Sequence, residues 1–181
     1  MDGNRCLDSE LMIIELENIG VRANAIDETI AAADIGLDTL GARLTGPVRF
    51  RGETVRVDGK AHLRGTLQVG VTVDCSRCLE PIERPTELFF DAIFVSSDMM
   101  PEDADTALTD SDLDESVAEG GVIDVADALR EQILLDLPDH PVCREICKGL
   151  CPKCGGNRNL IDCKCEENEI DPRWAALKDL K

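Results

Sequence analysis

Residues 67–78 read LQVGVTVDCSRC, and two different signals meet in them. Leu67, Val69, Val71, Val73 and Cys75 recur at every second position, while Gln68, Gly70, Thr72 and Asp74 fill the gaps. A period of two is the mark of a strand with one apolar face. The strand then runs into Cys75-Ser-Arg-Cys78, two thiols separated by two residues. The stretch therefore predicts a half-buried strand whose last inward residue belongs to a cysteine pair.

Working outward, the same alternation extends upstream. Val48 and Phe50, then Val55 and Val57, alternate with polar partners, and Ala61 and Leu63 resume the pattern. Asp58-Gly59 between these runs is a hairpin signal, because a two-residue turn favours residues that tolerate positive φ. Downstream, CSRCLEPIERP is rich in breakers and reads as a turn; ELFFDAIFV is a second strong strand, apolar on both faces for part of its length. Several short antiparallel strands with tight turns point to a small barrel or a strongly twisted sheet. Further on, VIDVADALREQILLDL (122–137) reads as a helix with Asp124 as N-cap, Asp127 in the first turn and an apolar stripe of Leu129, Ile133 and Leu137, stopped by Pro138. Asp171-Pro172 reads as the start of a short terminal helix, Arg173 to Leu180. The expected class is α+β, mainly antiparallel β, with one core helix and a C-terminal Cys-rich zinc-binding segment. The expected organisation is a poorly assigned segment at 1–40, a β-rich core at 41–96, an acidic loop at 97–121, the core helix at 122–138 and the Cys-rich segment at 139–181. Within 1–40, IIELENI shows some alternation and VRANAIDETIAAADIG reads as an acidic loop or a short helix.

The chain has 181 residues and a formal net charge of −18. A chain this acidic repels phosphate backbones as a whole, which disfavours non-specific nucleic-acid binding. The charge is uneven. Residues 85–129 hold 13 acidic residues and no Lys or Arg, whereas 41–66 hold Arg43, Arg49, Arg51, Arg56, Lys60 and Arg64 against Glu53 and Asp58. The acidic run SSDMMPEDADTALTDSDLDESVAEGG (96–121) fits a solvated loop better than a nucleic-acid mimic, on composition alone. No run of 18 apolar residues occurs, and MDGNRCLDSE lacks the basic and apolar regions of a secretory signal; Met12, opening MIIELENI, is an alternative start. These features lead to an expected cytoplasmic location, where nine cysteines are not expected to persist as disulfides.

The cysteines stand at 6, 75, 78, 143, 147, 151, 154, 163 and 165. Tetrahedral zinc takes four soft ligands, usually as local pairs two to four residues apart. Leaving out Cys6, eight thiols form two sets of four: Cys151, Cys154, Cys163 and Cys165 in one, Cys75, Cys78, Cys143 and Cys147 in the other. His140 is close enough in sequence to replace Cys143 or Cys147. Four thiolates leave no open position, so zinc here is structural, one or two ions per chain. The competing reading is a thiol-based redox protein or chaperone using Cys75-Cys78; it is weakened because Leu79-Glu80-Pro81 does not open the helix that redox pairs normally head. No phosphate-binding loop, serine elbow, zinc-protease helix or dinucleotide fingerprint is present, and His62 and His140 are the only histidines. The expectation is a protein that is not an enzyme and has no small-molecule substrate.

The segment VDCSRCLEPIERPTELFFDAIFV resembles the signature of the YceD family of large ribosomal RNA subunit accumulation proteins. EQILLDLP with CREICKGLCPKCGGNRN resembles that family's second block, and DPRWAALKDL its C-terminal end. The likeness covers roughly residues 45–181. Cys75, Arg77, Cys78 and Leu79 match the first motif; Cys143, Cys147, Gly149, Leu150, Cys151, Cys154, Gly155 and Asn159 match the second. Some members lack most of the second cysteine cluster, which fits a structural role for that site. The resemblance implies a ribosome-biogenesis role in accumulation of large-subunit (23S) rRNA, in a bacterial cytoplasm or a plastid, the acidic N-terminus favouring the former. Its implied partners are a ribosomal protein or rRNA-processing factor, with large-subunit rRNA itself as a further option. Arg49, Arg51, Arg56, Lys60, Arg64 and Arg77 are the candidate contacts to RNA or partner.

Overall fold

The computed structural model describes residues 13–39, 41–99 and 112–165. The expected terminal helix, Trp174, Cys6 and the alternative start at Met12 lie outside these residues, as does the middle of the acidic run, 100–111. The chain divides into two compact units. One takes the residues up to Val73 together with Glu83–Asp139; the other joins Asp74–Ile82 to the residues from His140 onward.

In chain order the elements are β1 (Ile13–Glu15), β2 (Asn24–Ile30), α1 (Ala32–Ile35), β3 (Asp38–Thr39), β4 (Ala42–Leu44), β5 (Val48–Val57), β6 (Lys60–Asp74), β7 (Pro81–Ser96), β8 (Glu115–Ala118), β9 (Val122–Asp124) and α2 (Val125–Asp136). The result is an α+β fold with a mixed, mostly antiparallel sheet and few helices. β6 is its axis. One edge of β6 pairs with β5 (Val57↔Lys60 to Arg49↔Gln68) and then, further along, with β4 (Leu44↔Val71 to Ala42↔Val73). β2 flanks β5, β3 flanks β4, β7 also pairs with β6, and β8 lies parallel to β7. β1 and β9 form a separate antiparallel pair.

The alternation in the sequence is realised along the whole of β6: Ala61, Leu63, Leu67, Val69, Val71 and Val73 are all buried. Asp58 and Gly59 both take positive φ (52° and 84°), the geometry of a two-residue hairpin turn whose twist matches its strands. Phe50 on β5 meets Phe90 on β7 edge-to-face with ring centroids 5.8 Å apart. Gly52 and Gly65 face each other in the β5–β6 ladder. A Cβ at Gly52 would collide with the Arg64 carbonyl, and one at Gly65 with the Arg51 carbonyl, so the strands approach here only because both residues lack side chains. α2 starts as expected, the Asp124 carboxylate accepting from the Asp127 N–H at 3.1 Å, and buries Val125, Ala126, Leu129 and Ile133.

Several local expectations are corrected. Asn24–Ile30 is a strand, not a loop or helix; its polar run N-A-I-D-E-T-I lies beside β5, where cross-strand pairing with Arg49 and Arg51 replaces burial as the organising force. Only Ala32–Ile35 in that segment is helical. Val55 and Val57 do not continue the buried face of β5: Thr54 does, and Val57 is exposed. β7 begins at Pro81, inside the expected turn, and its Pro85 lies outside the pairing with β8, which runs over Ile93–Ser96. The end of the acidic run is not loop either, since Glu115–Ala118 is β8 and Lys60 pairs with Glu115.

Candidate metal centres

The second unit has little regular structure; among its described residues after the helix the only ladder contact is a bridge between Leu150 and Asn157. Order comes instead from two copies of one turn. In the first, the Cys75 N–H donates to the Glu80 carbonyl at 2.9 Å and the Leu79 N–H to the Cys75 carbonyl at 2.9 Å. In the second, the Cys151 N–H donates to the Gly156 carbonyl at 2.8 Å and the Gly155 N–H to the Cys151 carbonyl at 2.8 Å. The fifth residue of each turn is left-handed, Leu79 at φ 60° and Gly155 at φ 69°. Each turn also aims backbone N–H groups at its first sulfur: those of Arg77 and Cys78 at Cys75, those of Lys153 and Cys154 at Cys151.

The sulfurs gather into two sets, Cys75, Cys78, Cys143 and Cys147 in one and Cys151, Cys154, Cys163 and Cys165 in the other, with all ligand atoms of a set within 4.8 Å of one another. In the first set Cys75 Sγ lies 3.9 Å from Cys147 Sγ, and Cys78 Sγ 3.7 Å from Cys143 Sγ. Four thiolates about 2.3 Å from a tetrahedral ion would be spaced about 3.8 Å apart, so the donor set and its spacing fit zinc. His140 is exposed and is not in either set. All eight of these cysteines are free thiols.

The first centre is the deeper. Cys75, Cys78 and Cys147 are buried and pack with Ile82 and Leu150. Arg77 braces it by donating to the carbonyls of Glu145 (3.1 Å) and Cys147 (3.2 Å), and its own carbonyl accepts from the Leu150 N–H at 2.9 Å. Gly149 sits under that contact at φ 70°; a Cβ there would lie 2.9 Å from the Arg77 carbonyl oxygen. Asn159 is the polar support that spacing alone does not single out. Its Nδ2 donates to Cys147 Sγ at 3.3 Å and its Oδ1 accepts from the Lys148 N–H at 2.9 Å. Asn157 Nδ2 donates to Glu80 at 3.0 Å and ties the first turn in place. The second centre is shallower, with Cys151 buried, Cys163 and Cys165 half-buried and Cys154 exposed.

The electrostatics follow from these contacts. Burial pushes the Cys75 thiol up, but the N–H groups of Cys143, Arg77 and Cys78 outweigh it and bring it down to about 6. The N–H groups of Cys154 and Lys153 likewise bring Cys151 down to about 6. Asn159 lowers Cys147. The Glu80 N–H lowers Cys78, yet burial and three neighbouring sulfurs push it up to about 12; Cys154 and Cys151 push Cys165 up to about 11. In each centre some thiols are thus ready to ionise, Cys75 and Cys147 in the first and Cys151 in the second, while the sulfurs beside them hold Cys78, Cys143, Cys163 and Cys165 up, a repulsion that a dication relieves. The same geometry weakens the redox reading of Cys75-Cys78. Cys75 has no exposed surface, whereas an exchanging thiolate has to be reached.

Each of the six candidate contact residues makes interactions within its own unit, and Arg51 and Arg64 line one recess. Arg49 and Arg51 share Asp27, at 3.1 and 3.2 Å; Arg64 holds Glu53 at 2.6 Å; Lys60 pairs with Glu115. Arg56 donates to the carbonyls of Leu16, Ile19 and Gly59, which makes it a brace of the fold, and Arg77 braces the first centre.

Fold and sites together define a small α+β protein built around paired four-thiol centres. Within that class, the family model described as large ribosomal RNA subunit accumulation protein YceD matches residues 63–181, which take in both cysteine sets, and the chain belongs to this family. An uncharacterised protein of Mycobacterium tuberculosis is 29% identical over 191 residues, covering 93% of this chain and 81% of the relative. The uncharacterised protein YlbN of Bacillus subtilis is 26% identical over 171 residues, covering 93% and 94%. A chloroplastic protein of Zea mays, named large ribosomal RNA subunit accumulation protein YCED homolog 1, is 27% identical over 186 residues, covering 86% of this chain and 63% of its own. No solved structure matches. Among the described residues no helix is long and apolar enough to cross a membrane.

Proposed function

We propose that this protein supports accumulation of large-subunit ribosomal RNA without catalysing a reaction, as a zinc-stabilised scaffold in the cytoplasm. The observation that carries the zinc part is the closure of each centre: four thiols, with no fifth side-chain donor in the group among the described residues, and so no ligand position left for a substrate. Cys75, Cys78, Cys143 and Cys147 would hold one ion and Cys151, Cys154, Cys163 and Cys165 the other. What such ions supply is folding free energy, on the order of 10 kcal/mol per site in small modules. The rRNA part rests on family membership.

A net charge of −18 favours a basic partner such as a ribosomal protein or a processing factor. Any contact with RNA has to be local, because the chain as a whole repels phosphate.

Two measurements test the proposal. Protein purified without added metal should contain two zinc ions per chain, with eight thiols becoming titratable when a chelator removes them. Deleting the gene should lower the ratio of large- to small-subunit rRNA, and the wild-type gene should restore it. Metal-free protein containing disulfides would sink the zinc scaffold and promote the redox reading, and an unchanged rRNA ratio would sink the ribosomal one.

A further inference from the structure

Phe89 on β7 is 67% exposed, although it stands between Leu88 and Phe90, which are both buried. It lines an open recess of about 520 Å³ whose other walls are Ile26, Asp27, Arg51, Gly52, Glu53, Arg64 and Gly65. Gly52 and Gly65, which face each other in the β5–β6 ladder, line it without side chains. Both arginines in it are held by carboxylates: Arg51 Nε donates to Asp27 at 3.2 Å, and Arg64 donates to Glu53 through Nε at 2.8 Å and Nη2 at 2.6 Å. A guanidinium has five N–H donors, so these bonds orient each fork and leave donors over.

We propose that this recess is a stacking site for unpaired bases of single-stranded RNA; the choice of RNA rests on the function proposed above. The ring of Phe89 offers a π-face, Arg51 and Arg64 offer donors, and Asp27 and Glu53 offer acceptors for base edges. A protein hot spot is a poorer fit. Such an anchor is usually ringed by apolar neighbours that exclude water, whereas here Ile26 is the only other large apolar wall. The site also reconciles RNA contact with the acidity of the chain. Its arginines are already neutralised, so binding draws on bases more than on phosphates. At most two phosphates would be neutralised, which gives a salt slope no steeper than about −1.4.

The test uses full-length, zinc-loaded protein and fluorescence anisotropy with a fluorescein-labelled 12-nucleotide single-stranded RNA, beside the same RNA annealed into a duplex. Expected are binding of the single strand in preference to the duplex, a shallow salt slope, weakening by about five-fold or more in Phe89→Ala, and retained binding in Phe89→Tyr. Because Phe89 is mostly exposed, the alanine variant should keep its fold, checked by circular dichroism. No binding of the single strand, preference for the duplex, or equal affinity in wild type, Phe89→Ala and the Arg51→Ala/Arg64→Ala double variant would each overturn the proposal. So would a Phe89→Ala variant that keeps its RNA affinity but loses affinity for purified large-subunit ribosomal proteins. Failure here leaves the rRNA ratio of the deletion strain untouched, so the site and the broader function fail separately.

Discussion

Leu79 and Gly155 occupy the same place in two copies of one turn, and only one of them suits it. Both are left-handed, a conformation that costs a residue with a Cβ roughly 1–2 kcal/mol and glycine nothing. Leu79 is 62% exposed, so little burial offsets that strain. Leu79→Gly should therefore raise the stability of the zinc-loaded protein by about 1 kcal/mol, read from urea midpoints; a loss of stability would show that the exposed side chain has a folding role. The spacing of the thiols was legible in the sequence because zinc ligands arrive as local pairs. Asn159 was legible only through family resemblance, since an asparagine that donates to a sulfur 12 residues away leaves no periodic trace. Asp27 gives the pH prediction at this scale. The hydrogen bond from Arg49, helped by Arg51 and opposed by desolvation, holds its carboxyl below the ordinary carboxylate value. The folded pKa is thus the lower one, and between the two values the unfolded chain binds more protons. The contribution is complete above the ordinary value and is lost as pH falls through the folded one. Asp27→Asn should cost stability at pH 7, and its urea midpoint should converge on that of wild type as acid takes the pH below the folded value. A gap of the same size at both pH values would assign the loss to packing.

At the scale of elements, legibility tracked burial. β6 was readable because every side chain on one face from Ala61 to Val73 is buried and none on the other is. β2 was not, because it is a polar strand organised by ion pairs across to β5 and shows only one buried residue in seven. β8 was hidden for a related reason. Its residues Glu-Ser-Val-Ala continue an acidic run, and only the parallel pairing of Glu115–Ala118 with Ile93–Ser96 makes them a strand. The β5–β6 ladder offers the sharpest test of what positions these strands. Gly65→Ala places a methyl group against the backbone of Arg51 and Gly52, neither of which can rotate away as a side chain would. Overpacking of this kind typically costs 1–3 kcal/mol, and a backbone collision belongs at the upper end, about 3 kcal/mol. Urea unfolding should show that loss with little change in the slope of the transition. A loss below about 1 kcal/mol would mean that the ladder relaxes at this point.

For the whole molecule, the decisive contrast is between what holds each unit together. The first has a hydrocarbon core that includes Phe50, Leu63, Leu67, Ile123, Leu129 and Ile133, all fully buried. In the second, the buried cluster consists of Cys75, Cys78 and Cys147 with Ile82 and Leu150 packed on it, so the residues that would bind the ion are also the core. Thiols without an ion are poor glue: once ionised they repel, and once protonated they contribute little more than small apolar groups. Removing zinc should accordingly unfold the second unit and spare the first. A strong chelator at neutral pH is expected to release two zinc ions, expose eight thiols to a chromogenic reagent and abolish amide-exchange protection in residues 74–82 and 140–165. Protection in β5 and β6 up to Val73 should persist, and the β signal in circular dichroism should fall only slightly. Acid should do the same as the chelator, because protons compete with zinc for every sulfur. Loss of protection in β5 and β6 together with the thiol release would show that the ions hold the entire chain, and the division of labour between the two cores would be wrong.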